Sequence, residues 1–190
     1  MLAQWENPAV VSSIPLLIEA ATFAAEKHRD QRRKDAAASP YINHPLAVAR
    51  ILTVEAGITD LVVITAALLH DTIEDTKTTE AELRERFGDE VTKVVLEVTD
   101  EKSLPKARRK QLQIEHAPQL TPAAKLVKLA DKLCNLRDII DHPPSAWPAE
   151  RCAAYVVWTA AVVAGLRGIN APLEAAFDAE QARWATARAW

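Results

Sequence analysis

The feature that most constrains the fold is an apolar run, LVVITAALL at 61–69, that passes directly into a polar segment. Within two helical turns of its end come four ionisable side chains: His70, Asp71, Glu74 and Asp75. In a helix that continues from the run through this segment, Glu74 lies one turn beyond His70 and Asp75 one turn beyond Asp71. Burying such groups without partners would cost several kcal/mol each, and a metal ion would remove that cost. The alternative is a helix end with a satisfied core histidine and solvated acids.

Composition favours helices throughout. The chain has 190 residues, 49% hydrophobic and 26% charged, with four glycines and abundant alanine. This length suits one domain with a sizeable core, and the scarcity of glycine favours helix over turn-rich sheet. We therefore expect a single, compact, all-α domain over residues 1–190.

The first predicted helix runs from Ser13, as N-cap, to Lys27, with Pro15 in its first turn. Its apolar positions form one stripe at helical spacing. The stripe consists of Ile14, Leu17, Ile18, Ala21 and Ala25.

Further helix starts and ends follow from capping residues. Asn43 is a candidate N-cap for a helix that Gly57 closes, and Asp60 or Thr59 can cap the apolar helix. Thr79, with Glu82 three residues later, resembles a capping box. That box opens a short helix ending at Gly88, and the remaining predicted helices cover 89–98, 105–117, 121–140, 147–167 and 170–184.

Two more segments carry polar groups among apolar ones. In KLVKLADKLCNLRD (125–138), Asp131 and Asn135 share one helical ridge beside buried leucines. In PYINHP (40–45), His44 lies near a helix N-terminus. Each segment has a structural alternative: Asp131 paired with Lys128 or another nearby lysine, and His44 exposed in a turn.

The net charge and the hydropathy of the chain argue against two classes of binding partner, nucleic acids and membranes. A net charge of −3 and a pI near 6.0 argue against nucleic-acid binding, and no apolar run approaches the roughly 20 residues of a membrane span. The basic segments HRDQRRK (28–34) and KSLPKARRK (102–110) suggest a small anionic ligand instead.

The N-terminus lacks a secretion pattern, so we expect a cytoplasmic protein. Cys134 and Cys152 make no disulfide framework, and a buried core role suits Cys134 better than that of nucleophile.

Taken together and in order, the motifs HxxQRRKD, PYINHP, ALLHDTIEDT, EVTDEKSLPKARRK and AKLVKLADKLCNLRD resemble those of a known family. They are similar to the HD-domain guanosine tetraphosphate and pentaphosphate hydrolases of the RelA/SpoT superfamily. The small stand-alone branch, the metazoan-type SpoT homologues, is the more similar one. The likeness runs from about Ala20 to Asn170 and implies an HD-domain helical bundle.

The resemblance implies roles for particular residues. A single divalent ion, usually manganese, would be held by His44, His70, Asp71 and Asp131. The catalytic carboxylates would be Glu74 and Asp75.

The nucleotide-facing positions are also implied by the resemblance. They are Arg33, Lys34, Lys106, Asn135, Arg151 and Tyr155. Arg33 can stack its planar guanidinium on guanine, which a lysine could not do equally well. Two departures stand out: Cys134 replaces an aromatic residue common in relatives, and TDEK replaces TDDK.

The implied activity is a manganese-dependent 3′-pyrophosphohydrolase that converts ppGpp or pppGpp to GDP or GTP plus pyrophosphate. An HD phosphohydrolase acting on another nucleotide phosphate, such as the 2′-phosphate of NADPH, is the alternative. A binding module without catalysis is disfavoured because the full set of site residues is intact. No G-x-G-x-x-G or P-loop points to a sheet-based nucleotide fold. Since the chain ends at Trp190, without room for a synthetase domain, we expect hydrolysis without synthesis.

Overall fold

The computed structural model describes residues 8–187, with side chains from Ser13 onward, and confirms the all-α prediction. Within that range the only β-type pairing is an isolated bridge between Arg32 and Pro40. The α-helices are α1 (Pro8–Lys27), α2 (Asn43–Arg50), α3 (Leu61–Leu69), α4 (Thr72–Asp75), α5 (Glu80–Val98), α6 (Lys106–His116), α7 (Pro122–Asp141), α8 (Ala149–Ala164) and α9 (Ala171–Thr186). A π-helical turn, Ile51–Glu55, follows α2, and a 3₁₀ turn, Ala117–Gln119, follows α6.

Helix α3 lies at the centre of the bundle, as its apolar sequence predicts. It packs against α1, α2, α5 and α7, and α7 in turn packs against α8 and α9. Leu69 of α3 and Leu129 and Leu133 of α7 are fully buried. The central pair α3 and α7 therefore forms a close-packed support for the polar residues that follow α3 and for those in the middle of α7.

The prediction for α1 is wrong in two respects. The helix already runs from Pro8, so Ser13 is not its N-cap and Pro15 lies inside it at the cost of one backbone hydrogen bond. The stripe that includes Ile14 and Ile18 is not the buried face, since these two side chains are 54% and 62% exposed. The buried face instead carries Ala20, Phe23 and Ala24. Its small alanines let a neighbouring helix approach closely, which a stripe chosen by hydrophobicity alone does not reveal.

The helix start predicted at Asn43 is also shifted. Asn43 is the first residue of α2, and the N-cap, Ile42, makes no side-chain capping bond. The carbonyls of Pro40 and Tyr41 accept from the N–H groups of Asn43 (3.2 Å) and His44 (2.9 Å), so the preceding turn satisfies the donors that a cap would serve.

Other predicted caps are present. Asp60 accepts from the N–H of Val62 at 2.8 Å and of Val63 at 3.4 Å. Thr79 accepts from the N–H of Glu82 at 3.2 Å, but the Glu82 carboxylate binds Lys27 instead of returning to Thr79. The capping box is therefore only half formed.

Two glycines end helical segments as predicted. Gly57 follows the π-helical turn with φ +67°, and Gly88 interrupts α5 with φ +81°. Positive φ is readily adopted by glycine and strained for other residues, so each marks a change of chain direction. The four later helices begin and end within one turn of their predicted bounds.

Both cysteines are buried and free, in agreement with the absence of a predicted disulfide. None of the helices within residues 8–187 combines the length and apolarity needed to cross a bilayer.

The end of α8 packs unusually closely on the turn after α6. A Cβ added at Gly165 would lie 2.9 Å from both Ala117 Cβ and Pro118 Cδ, although its backbone, at φ −79°, suits alanine. We expect Gly165→Ala to lower the free energy of unfolding by about 1–3 kcal/mol through overpacking. Chemical denaturation measures this, and adding Ala117→Gly to the variant should recover part of the loss. A stabilised Gly165→Ala protein would contradict this packing.

Candidate functional site

The polar segment after α3 is built around a break in the helix. The single helix predicted through Asp75 is wrong: α3 ends at Leu69, and the short helix α4 starts at Thr72. The Thr72 hydroxyl donates to the Leu69 carbonyl at 2.7 Å, and Asp71 adopts φ −98°, ψ −2°. This local hydrogen bond competes with the helical ladder and leaves His70 and Asp71 in the break.

Only one of the two ring nitrogens of His70 has a hydrogen-bond partner. Its Nδ1 lies 2.8 Å from the Ala67 carbonyl oxygen, which can only accept, so in the neutral ring Nδ1 carries the proton. Nε2 then presents its lone pair, and it is buried without a hydrogen-bond partner. Asp71 Oδ2 is 3.0 Å away but not in line for a hydrogen bond. An unpartnered buried nitrogen beside carboxylates is the arrangement expected of a metal ligand.

The four predicted ligands come together from three separate segments. His44 Nε2 lies 3.1 Å from Asp131 Oδ1 and 3.7 Å from Asp71 Oδ2. His70 Nε2 lies 3.0 Å from Asp71 Oδ2 and 3.8 Å from Asp131 Oδ1. Two ligands at about 2.1 Å from one octahedral ion are about 3.0 Å apart when they are at right angles. The spacing of these atoms fits a divalent ion, and their role as ligands stays a prediction.

Charges within this group shift its pKa values in opposite directions. Burial lowers the pKa of His70, but the Asp71 and Asp131 carboxylates outweigh it and raise that pKa to about 9. Burial raises the pKa of Asp71, but His70 outweighs it and holds the pKa below its usual range. The two carboxylates are therefore charged, and a cation that binds them displaces the proton that His70 Nε2 otherwise carries.

Asp131 has the lysine partner that the structural alternative anticipated, although it is not Lys128. Its Oδ2 lies 3.0 Å from Lys132 Nζ, while Oδ1 faces both histidines. Lys128 donates to the Val98 carbonyl at 2.9 Å instead. Asn135, on the same ridge, donates to Asp131 Oδ1 at 2.5 Å. One carboxylate thus serves both a structural ion pair and the candidate metal centre.

The four predicted metal ligands line a cavity of about 160 Å³. The two predicted catalytic carboxylates, Glu74 and Asp75, line the same cavity but are not among the four ligands. Glu74 accepts from the Asp100 N–H at 3.0 Å, and burial together with the Asp100 charge raises its pKa. Asp75 accepts from Gln31 at 3.0 Å and pairs with Lys102. Both are therefore held at the rim, where a reacting group would lie between them and the centre.

Two further cavities adjoin the centre and contain the predicted nucleotide contacts. One, of about 260 Å³, is lined by Arg33, Lys34, Asn135 and Tyr155. The other, of about 290 Å³, is lined by Lys34, Lys106, Arg151 and Tyr155. Shared lining residues join the three cavities into one region with a metal-type centre at one end and cations at the other.

Two of these residues already have protein partners. Arg33 pairs with Asp138 and lies 5.6 Å from the centroid of the Tyr41 ring. The Arg151 guanidinium lies 4.1 Å from the centroid of Trp147. These contacts orient two planar cations along the cavity walls, where they can stack on a base or bind phosphate.

Several residues at the site were not predicted. Gln31 and Lys102 hold Asp75, and Arg109 lies 3.8 Å from Glu74 Oε1. Lys102 and Arg109 belong to the basic segment at 102–110, so a charge signal was present for them. Trp147 has no comparable signal, because its role depends on the fold of the α7–α8 connection.

A family model described as "HD domain" matches residues 20–176. The guanosine-3′,5′-bis(diphosphate) 3′-pyrophosphohydrolase MESH1 of Homo sapiens is 61% identical over 84% of this chain and 89% of that protein. The protein of the same name from Xenopus tropicalis is 58% identical over 88% of this chain and 93% of that protein. The GTP pyrophosphokinase rsh of Brucella melitensis is 43% identical, but the match covers only 17% of that longer protein.

Solved structures agree with this assignment. One, described as "A metazoan ortholog of SpoT hydrolyzes ppGpp and plays a role in starvation responses", superposes with a TM-score of 0.87 at 49% identity. It covers 88% of this chain and 94% of that one. A Listeria monocytogenes structure, lmo0812, gives a TM-score of 0.63 at 32% identity over 77% of this chain and 96% of that one. The chain therefore belongs to the HD-domain family and, within it, to the group that contains the MESH1 proteins.

Proposed function

We propose that this chain is a metal-dependent guanosine-3′,5′-bis(diphosphate) 3′-pyrophosphohydrolase. It takes ppGpp or pppGpp and releases GDP or GTP together with pyrophosphate. The observation that carries the proposal is the position of His44, His70, Asp71 and Asp131 beside two carboxylates and two cation-lined cavities. MESH1 proteins that are about 60% identical, named for this reaction, support it.

The ion we propose is Mn²⁺, held by the two imidazoles and two carboxylates. This set contains no sulfur and is harder than a cysteine-rich zinc site, which suits manganese. When bound, such an ion supplies a more acidic water molecule and withdraws negative charge from the phosphoryl group.

Glu74 and Asp75 are proposed to act on the water and the substrate. Water adds to the phosphorus next to the ribose 3′ oxygen, the bond from that phosphorus to the oxygen breaks, and the oxygen gains a proton. A carboxylate at the rim orients the water and accepts its proton. The Asp100 N–H fixes Glu74, and Gln31 with Lys102 fixes Asp75, so neither must reorganise during the reaction.

Binding of the remote parts of the nucleotide is assigned to the two cation-lined cavities. We propose that Arg33 stacks on guanine, with Asn135 and Tyr155 contacting the nucleoside. Lys34, Lys106 and Arg151 bind phosphates. A ligand charged on both sides of its ribose engages more of these groups than GTP does, and that binding energy positions the 3′-diphosphate.

We further propose that the chain works as one domain in the cytoplasm. The free state of Cys134 and Cys152 supports a reducing compartment.

The ligand assignment predicts a joint loss of metal and activity. His70→Ala and Asp131→Asn should each weaken Mn²⁺ binding by about 100-fold or more and reduce hydrolysis in parallel. Metal content after dialysis and product chromatography measure the two effects. His116→Ala, at the exposed end of α6, is the matched control and should retain both. A His70→Ala protein with full Mn²⁺ content would refute the assignment.

The role of Glu74 predicts a separation of the same two quantities. Glu74→Gln should keep its Mn²⁺ and lose turnover by about 10²-fold or more, because the amide cannot accept the proton. The control is Glu101→Gln, an exposed carboxylate on the loop before α6. Undiminished turnover by Glu74→Gln would show that another group handles the proton.

The role of Arg33 predicts a change in nucleotide affinity alone. Arg33→Gln should weaken binding of ppGpp by about tenfold, roughly one charge-assisted contact, and leave Mn²⁺ affinity unchanged. Calorimetry measures both affinities, with Arg29→Gln, at a side chain that is 73% exposed, as the control.

In the unmodified enzyme ppGpp should be cleaved far faster than GTP. Comparable rates would contradict the substrate assignment, and faster release of phosphate from NADPH would favour the 2′-phosphate alternative.

A further inference from the structure

The ring of His44 lies between two sets of donor atoms. Nε2 faces Asp71 and Asp131, as described above. On the other side, Nδ1 lies 3.5 Å from the sulfur of Cys134. His44 Nδ1, Cys134 Sγ and a carboxylate oxygen of Asp138 all lie within 4.8 Å of one another. His44 and Cys134 are buried, and the Asp138 side chain is 39% exposed.

The chemistry of these three donors suits a different kind of ion. A thiolate, an imidazole and a carboxylate select zinc-type ions over manganese. On a tetrahedral zinc, a nitrogen at about 2.1 Å and a sulfur at about 2.3 Å are about 3.6 Å apart. His44 Nδ1 and Cys134 Sγ, in hydrogen-bond contact at 3.5 Å, are close to that separation already. We infer that His44, Cys134 and Asp138 form a second cation site, for a thiophilic divalent ion of the zinc and cadmium class.

The nucleotide cavity that contains Arg33 provides access to this site. Asp138 lines the cavity of about 260 Å³ and pairs there with Arg33. An incoming cation takes the place of the Arg33 guanidinium at the Asp138 carboxylate. The Cys134 sulfur loses its proton as the ion binds, because a sulfur that coordinates a metal ion is a thiolate.

Occupation of this site excludes His44 from the first centre. A neutral imidazole has one lone pair, on either Nδ1 or Nε2. When an ion binds Nδ1, the ring proton is on Nε2. That N–H group then points at Asp131 Oδ1, which lies 3.1 Å from Nε2. Thiophilic ions therefore inhibit the enzyme by withdrawing one ligand from the hydrolytic ion. This inhibitory consequence, unlike the second site itself, rests on the proposed function.

Cadmium titration of the metal-free full chain tests the site directly, since cadmium thiolates have a characteristic ultraviolet charge-transfer band. Asp131→Asn serves as the parent for this titration, so that the first centre competes less for His44, and one equivalent of CdCl₂ should produce the band in it. Cys152→Ser, which changes the other buried free cysteine, is the matched control and should keep the band. Cys134→Ser and Cys134→Ala should each lose it while retaining the helical circular dichroism of the parent. A band that survives in either folded Cys134 variant, or is absent from the parent, would overturn the site.

Inhibition is tested separately, as a fraction of the Mn²⁺-dependent activity of each variant. Cys134→Ser should require about tenfold more Cd²⁺ than the unmodified protein for half inhibition, the scale of a lost metal contact, and excess Mn²⁺ should relieve inhibition of the unmodified protein. Equal sensitivity of the two proteins would show that Cd²⁺ inhibits elsewhere. Absence of ppGpp hydrolysis in every protein, with the charge-transfer band intact, would defeat the hydrolase proposal and leave the second site standing.

Discussion

Two buried carboxylates, Asp71 and Asp131, impose the constraint on which the rest of the site depends. Carboxylates removed from water cost several kcal/mol each unless partners surround them. Tyr41 donates to Asp71 at 2.6 Å, Lys132 pairs with Asp131 at 3.0 Å, and histidines lie between the two acids. The end of α3, the middle of α7 and the start of α2 meet where these partners must converge.

Two residues that hold the buried acids, Tyr41 and Asn135, also reach the predicted nucleotide region. Asn135 donates to Asp131 and also lines the cavity that contains Arg33. Tyr41 donates to Asp71 and lies beneath the Arg33 guanidinium. In the proposed binding mode, a nucleotide that displaces or stacks on Arg33 contacts groups that hold the acids in place. That mode would link binding of the base to the geometry of the reacting end.

Much of this arrangement could be predicted from the sequence because its signals are local. Apolar periodicity identified the buried α3, and Asp60 and the glycines at 57 and 88 identified helix ends. Individually ambiguous motifs became informative because their order along the chain resembles that of a known family, and this resemblance placed His44 in the same group as Asp131.

The remainder depends on contacts that no local pattern contains. Arg33 pairs with Asp138, 105 positions away, and Gln31 reaches Asp75 across 44 positions. The break before α4 depends on the Thr72 hydroxyl binding a carbonyl instead of the helix continuing. Hydrophobicity predicted Ile18 for the buried face of α1, but close packing selected the smaller Ala20 and Ala24.

Hydrolysis of ppGpp in ¹⁸O-water tests the central claim most directly, because it reports both the bond broken and the dependence on the metal. The Mn²⁺-loaded protein should yield equal amounts of GDP and pyrophosphate, with one ¹⁸O in the pyrophosphate and none in GDP, and removal of the metal should abolish the reaction. Inorganic phosphate as the product, ¹⁸O in the GDP, or turnover that persists after the metal is removed would contradict this account.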